Sequence, residues 1–372
     1  MARIDAFLRI GREQGGSDIH FTVGMPPLVR LDGELNAIKY RVLTFEEAED
    51  IVSEIFTDYH REILAETGAV DLSHMSPDAG RFRINVCRHM RGLGISCRVI
   101  PDQVPRLPEL GLPPIVSRFN NFNAGLVLVT GTTGTGKSTT LAAIINEINQ
   151  TRSLNVITLE DPVEFLHSSA KAQVVQREVG THLPNFKDGL RSALREDPDV
   201  ILVGELRDAE TISLALEAAE TGHLVFGTLH TRGAAQTIDR IIDALPSDAQ
   251  GQVRHSLADN LKCVLSQELL RVADGRGRRV AAEVLVVTMG VAQLIREGKT
   301  FQIPSSITTG RRYGMQLMDQ SLLALVRAGD VDPDEAFLKA TDKWGFAPFV
   351  TRPELLNLIT NAPGPDLGGK AA

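Results

Sequence analysis

The stretch Gly131-Thr-Thr-Gly-Thr-Gly-Lys137-Ser138 keeps the spacing G-x-x-x-x-G-K-[ST], in which glycines free backbone N–H groups to point at the phosphates of a nucleotide. Lys137 would reach the β- and γ-phosphates, and the Ser138 hydroxyl would ligate Mg²⁺. Gly131, Thr132, Thr133, Gly134, Thr135, Gly136, Lys137, Ser138 and Thr139 are therefore the candidate nucleotide-binding residues. Both contextual demands of the pattern are met. An apolar run, Leu126–Thr130, precedes it, and Leu141, Ile144, Ile145 and Ile148 recur at helical spacing behind it.

A phosphate loop alone does not specify a reaction, so the acidic and polar groups around it decide. Val200-Ile-Leu-Val203 leads into Gly204-Glu205. A carboxylate at the end of a buried strand sits on the sheet edge where ligands bind, and Glu205 there could position or deprotonate an attacking water. The alternative is a glutamate that merely caps the helix to follow. Glu160 and Glu164, in Thr158-Leu-Glu-Asp-Pro-Val-Glu164, end another strand. They could hold magnesium-bound waters, Glu160 as an indirect Mg²⁺ ligand, or orient the nucleophile. His223 and His230 bracket the run Leu224–Thr228, and His230, at its far end, could donate to the γ-phosphate. Arg81, Arg83, Arg88, Arg91 and Arg98 crowd one ribbon. They are a solvated face, a nucleic-acid surface, or a source of arginines (Arg83 and Arg98 being the candidates) that reach a neighbouring subunit's nucleotide.

These side chains need a scaffold that brings strand ends together. Apolar β-type runs at 126–130, 155–159, 200–203 and 224–228 alternate with helical stretches at 138–148, 190–195 and 208–220, which predicts an α/β layered domain with its sheet buried on both faces. The first hundred residues read differently. Alternation at 18–23, a hairpin turning at Asp32-Gly33, a capping box at Thr44-Phe-Glu-Glu47 and a ribbon over 81–100 predict a separate α+β domain. Prolines at 101, 105, 108, 113 and 114 mark the joint. The expected domains are 1–100, a linker at 101–115, a nucleotide-binding α/β domain at 116–360 whose part beyond about Asp259 is a helical annex with few strand signals, and a flexible tail at 361–372.

Composition narrows the classes. The net charge is -8, from 47 acidic and 39 basic residues, and aromatic residues make up 5%; this argues against a nucleic-acid binder built on charge and stacking. Three cysteines cannot form an even disulfide framework, and no Cys/His cluster has zinc-ligand spacing. The opening ten residues are broken by Asp5 and two arginines, unlike a secretory signal, and apolar runs fall far short of the ~20 residues of a membrane span.

Several long motifs together resemble the secretion-type motor ATPases, the GspE/PilB/VirB11-like superfamily, and within it the pilus-retraction branch. They are Gly16-Ser-Asp-Ile-His20, the phosphate loop, the "Asp box" Ile157–Phe165, the atypical Walker B Leu194–Thr211, the "His box" Thr221–Thr231, and the C-terminal stretches Leu294–Lys299 and Gly314–Ser321. The resemblance implies a homohexamer of PAS-like N-terminal domains over RecA-like motor domains. It implies ATP and Mg²⁺ at subunit interfaces, Glu205 as catalytic glutamate and His230 as phosphate sensor. It places the ring in the cytoplasm at the inner face of the inner membrane, acting on a PilC-like platform protein, with PilU or PilB paralogues as further partners. The tetracysteine site of the assembly branch is absent, Gly290–Glu297 only partly matches the retraction signature, and Trp344–Leu356 is an extension without counterpart. An accessory, PilU-like ATPase, an assembly or secretion ATPase, a nucleic-acid-stimulated motor and a nucleotide-binding regulator with little turnover are the competing expectations.

Overall fold

The computed structural model describes residues 2–31, 34–101, 103–273 and 277–360. Contacts divide the chain into two compact units. The first is Met1–Val104 with Ile157–Ser169 and Val174–Gly189; the second is Pro105–Val156 with Ala170–Gln173 and Leu190–Ala372.

In the first unit, α1 (Arg3–Glu13) precedes β1 (Asp18–Thr22), β2 (Leu28–Leu31) and β3 (Glu34–Ala37). Next come α2 (Phe45–Ile55), α3 (Asp58–Thr67), β4 (Ala69–Ser76), β5 (Gly80–His89) and β6 (Gly92–Val99). The strands form one antiparallel sheet in the order β3-β2-β1-β6-β5-β4. The Asp32-Gly33 turn lies outside the described residues. Alternation works as expected: Ile19, Phe21, Phe82, Ile84 and Val86 are fully buried on one face, each worth roughly 1.5–3 kcal/mol of apolar burial. The capping box is present, with Glu47 N–H donating to Thr44 Oγ1 (3.3 Å) and Thr44 N–H to Glu47 Oε2 (3.1 Å). Ile4 and Leu8 of α1, Ile51 and Val52 of α2 and Leu64 of α3 close this core. Sequence reading did not anticipate α1, α3 or β4.

The second unit opens with 3₁₀ turns at Leu107–Leu110 and Pro114–Asn121, short pieces that closely spaced prolines allow. Along the chain then follow β7 (Gly125–Thr130), α4 (Lys137–Thr151), β8 (Asn155–Glu160), β9 (Gln173–Glu178), α5 (Phe186–Ala193), β10 (Val200–Val203), α6 (Ala209–Glu220) and β11 (Leu224–Leu229), with residues 157–169 and 174–189 counting with the first unit. The sheet order is β13-β12-β7-β11-β10-β8-β9. β10, β11, β7 and β12 run parallel, and every residue of β7, β10 and β11 is buried, as strands covered on both faces must be.

The helical annex needs correction. After α7 (Ala234–Asp243) and α8 (Gln250–Asn260), residues just beyond Asp259 form two long strands, β12 (Leu261–Arg271) and β13 (Arg278–Val286), paired antiparallel. The polar residues Ser266 and Gln267 hide the strand in the sequence. They are buried because Ser266 Oγ bonds Thr130 Oγ1 (2.8 Å) and Gln267 Nε2 donates to Thr140 Oγ1 (2.9 Å), partners distant in sequence. Helices take over only afterwards: α9 (Met289–Arg296), α10 (Ile303–Thr309), α11 (Met318–Ala328), α12 (Pro333–Lys339) and α13 (Asn357–Thr360). The Trp344–Leu356 extension packs Phe346 and Phe349 with Leu322, Phe337 and Leu270 into a satellite core. Among the described residues, no helix is long and apolar enough to cross a membrane. The expected tail, 361–372, lies outside them.

Candidate active site

β7 delivers the chain to its carboxyl edge at Thr130, and the loop then turns on three glycines with positive φ: Gly131 (143°), Gly134 (82°) and Gly136 (89°). A Cβ on Gly131 would stand 2.5 Å from both Gln267 O and Thr135 Oγ1, so no other residue fits. Thr135 Oγ1 donates to Thr132 O (2.9 Å) and braces the loop from within. Lys137 starts α4 and its ammonium donates to Gly131 O (2.8 Å) and Thr132 O (3.0 Å). Ser138, next on the first turn, is exposed.

The loop also faces the ends of β10 and β11. Lys137 Nζ lies 3.4 Å from His230 Nδ1, and His230 Nε2 lies 3.3 Å from Glu205 Oε1. An ammonium can only donate, so the imidazole accepts a hydrogen bond from Lys137 at Nδ1 and carries its own proton on Nε2, the nitrogen that faces Glu205. Arg207 Nε stands 2.8 Å from the other oxygen, Glu205 Oε2, in an ion pair. The turn bearing Glu205 is pinned to β11: Leu206 N–H donates to Thr228 O (3.0 Å) and the Thr228 hydroxyl to Gly204 O. The sequence offered Glu205, His230 and Lys137 singly. Their contact comes from the parallel register that sets Val203 beside Gly227 and Thr228 beside Val129.

His223 does not join them. It stands at the amino end of β11, where its Nδ1–H donates to Ala218 O (2.9 Å) at the close of α6. That is a helix-end contact.

Glu160, Glu164, Arg83 and Arg98 belong to the first unit. Glu160 ends β8, and its Oε1 accepts from Thr158 Oγ1 (2.7 Å) and Gln176 Nε2 (3.2 Å). Burial pushes its carboxyl up, against the pull of those two donors. Glu164 faces Arg83 Nη1 at 3.5 Å, and Arg83 Nε is 3.6 Å from Asp71. Arg98 pairs with Asp18 at 2.9 Å; burial raises the Asp18 carboxyl, but Arg98 and Ser17 together hold it below its usual value. Arg83 and Arg98 are direct cross-strand neighbours, a like-charge pair that these carboxylates relieve.

Two groups escaped the sequence reading. Glu178, nearly fully buried, accepts from Arg81 Nη2 (2.7 Å), Ser73 Oγ (2.7 Å) and Val163 N–H (3.0 Å), while Arg81 Nε donates to Val163 O (2.9 Å). Only the fold unites positions so far apart. Arg207 was legible as a residue, two places after Glu205, but its direction was not. Among the described residues, no group of three or more His, Cys, Asp or Glu could cage a metal.

Residues 78–331 match the type II/IV secretion system protein family. The chain belongs to that family and is an ATP-hydrolysing enzyme. A twitching motility protein of Neisseria gonorrhoeae is 48% identical over 314 residues, 84% of each chain. The type IV pilus retraction ATPase PilT of Pseudomonas aeruginosa is 45% identical over 337 residues, covering 91% of this chain and 98% of that one. The crystal structure of a pilus retraction motor PilT with bound ADP superposes with a TM-score of 0.84 at 43% identity, over 93% of this chain and 99% of the other.

Proposed function

We propose that this protein is a PilT-like motor that uses ATP hydrolysis to power type IV pilus retraction. The observation that carries the proposal is the contact chain Lys137–His230–Glu205 at the mouth of the phosphate loop. A nucleotide's phosphates would take Lys137 away from the loop carbonyls, since a phosphate is the stronger acceptor. His230, relieved of Lys137, could turn Nδ1 or Nε2 toward the terminal phosphate, while Glu205 accepts a proton from the attacking water. A Mg²⁺ ion would find a hydroxyl ligand in Ser138 and neutralise charge on the phosphates.

The finer reading adds a homohexamer, PAS-like character for the N-terminal sheet domain, and a PilC-like platform at the inner face of the inner membrane. Arg83 or Arg98 would serve a neighbouring subunit's nucleotide only after leaving its present carboxylates. The partly matching Gly290–Glu297 stretch favours one second reading, an accessory PilU-like ATPase.

Deleting the gene and counting surface pili tests the direction of action. Extra pili with lost twitching support retraction, bald cells mean assembly, and unchanged pili with weakened motility mean an accessory role. Steady-state phosphate release from purified protein tests the chemistry. Lys137→Ala and Glu205→Gln should each lose about 10²–10³ in turnover.

A further inference from the structure

The geometry points to Arg207 as a positioning residue for Glu205, an inference that rests on reading Glu205 as the carboxylate that activates water. A strand-end glutamate has three side-chain torsions, and a general base must present one oxygen along a defined line. The backbone of this turn is already fixed from both sides. Leu206 N–H is held by Thr228 O at 3.0 Å. Asp208 then caps α6, its carboxylate accepting from Thr211 N–H and Thr211 Oγ1 at 2.8 Å each. Arg207 sits between these two anchors, so its Cα–Cβ direction is not free.

From that position its Nε stands 2.8 Å from Glu205 Oε2 in an ion pair, while His230 Nε2 lies 3.3 Å from Oε1. Each oxygen of the carboxylate thus faces a nitrogen, one from its own turn and one from the end of β11. The two holders differ in kind. His230 answers to Lys137 and so to the phosphates. Arg207 has no carboxylate other than Glu205 within ion-pair distance among the described residues, and its side chain is 61% exposed, so solvent screens its charge and what remains is the close contact on Oε2. The planar guanidinium fixes the carboxylate's rotation when His230 turns to the phosphate. A lysine, with a point charge and no fork, would do this poorly.

The test is steady-state phosphate release by the full chain, comparing wild type with Arg207→Ala, Arg207→Lys and Glu205→Gln. Arg207→Ala is expected to lower kcat on the order of 10-fold with the ATP KM within about twofold, and Arg207→Lys to recover only part of the loss. Millimolar ethylguanidinium should raise the kcat of Arg207→Ala and leave Glu205→Gln unmoved. An unchanged kcat overturns the inference. So does a raised KM at constant kcat, which would put Arg207 on ATP itself, or loss of activity without guanidinium rescue, which would mark a structural role. Full turnover in Glu205→Gln would instead sink the parent reading, and Arg207 with it.

Discussion

His230 touches a cation on one ring nitrogen and a carboxylate on the other, so its tautomer follows from its neighbours. On the function proposed above, the imidazole would relay between Lys137 at the phosphates and Glu205 at the water. Replacing it by Phe should keep the fold, because the ring is largely exposed, and should cost kcat about 10–100-fold with little change in ATP affinity, as loss of hydrogen bonds to charged groups implies. Stopped-flow binding of a fluorescent ATP analogue beside turnover separates the two. Weakened binding with normal turnover would remove His230 from the relay. His223, chemically identical, serves as its control: His223→Phe should alter thermal stability and leave kcat within about twofold.

Among the elements, the C-terminal extension gives the clearest expectation. Asp334 is buried in the first turn of α12, and its carboxylate accepts from Thr351 N–H (2.8 Å), the Thr351 hydroxyl and Arg352 Nε (3.0 Å). Burial by itself would raise its carboxyl, but the bonds from Thr351 and Arg352 outweigh that and bring it down to about 2. A folded-state value below the unfolded one of about 3.9 gives stability that is complete above that pH and is lost as pH falls through about 2. Asp334→Asn should therefore destabilise the protein at pH 7 and flatten the acid limb of its melting-temperature profile. An unaltered profile between pH 4 and 2 would show that Asp334 does not hold the extension. The extension had no readable counterpart in sequence, since its apolar residues, Phe346 and Phe349, show no strand or helix period and find their partners on α11, α12 and β12.

For the whole molecule, the charge of -8 sets the expectation. ATP turnover should change less than about twofold on adding DNA or RNA, and strong stimulation with steep salt dependence would revive the nucleic-acid motor. A hexamer should be seen by sedimentation for wild type and for Lys137→Ala alike. A monomer at micromolar concentration would contradict the ring. Attraction to a basic membrane platform should weaken with added salt, as long-range attraction between exposed charges does.

Local chemistry explains what the sequence by itself determined. The phosphate loop, the strand ends at Glu160 and Glu205, the fully buried β7, β10 and β11, and the Thr44 capping box all rest on residues within a few positions of one another. Their glycine conformations, apolar runs and caps act at short range. Tertiary structure decided the rest. β12 depends on Thr130 and Thr140 to bond the Ser266 hydroxyl and the Gln267 amide nitrogen, Glu178 depends on Arg81, Ser73 and Val163, and Glu205 depends on the register that carries His230 and Lys137 to it. A buried polar group is tolerated only where partners meet it. Here those partners come from distant strands and helices, so which polar residues belong inside is a property of the assembled sheets.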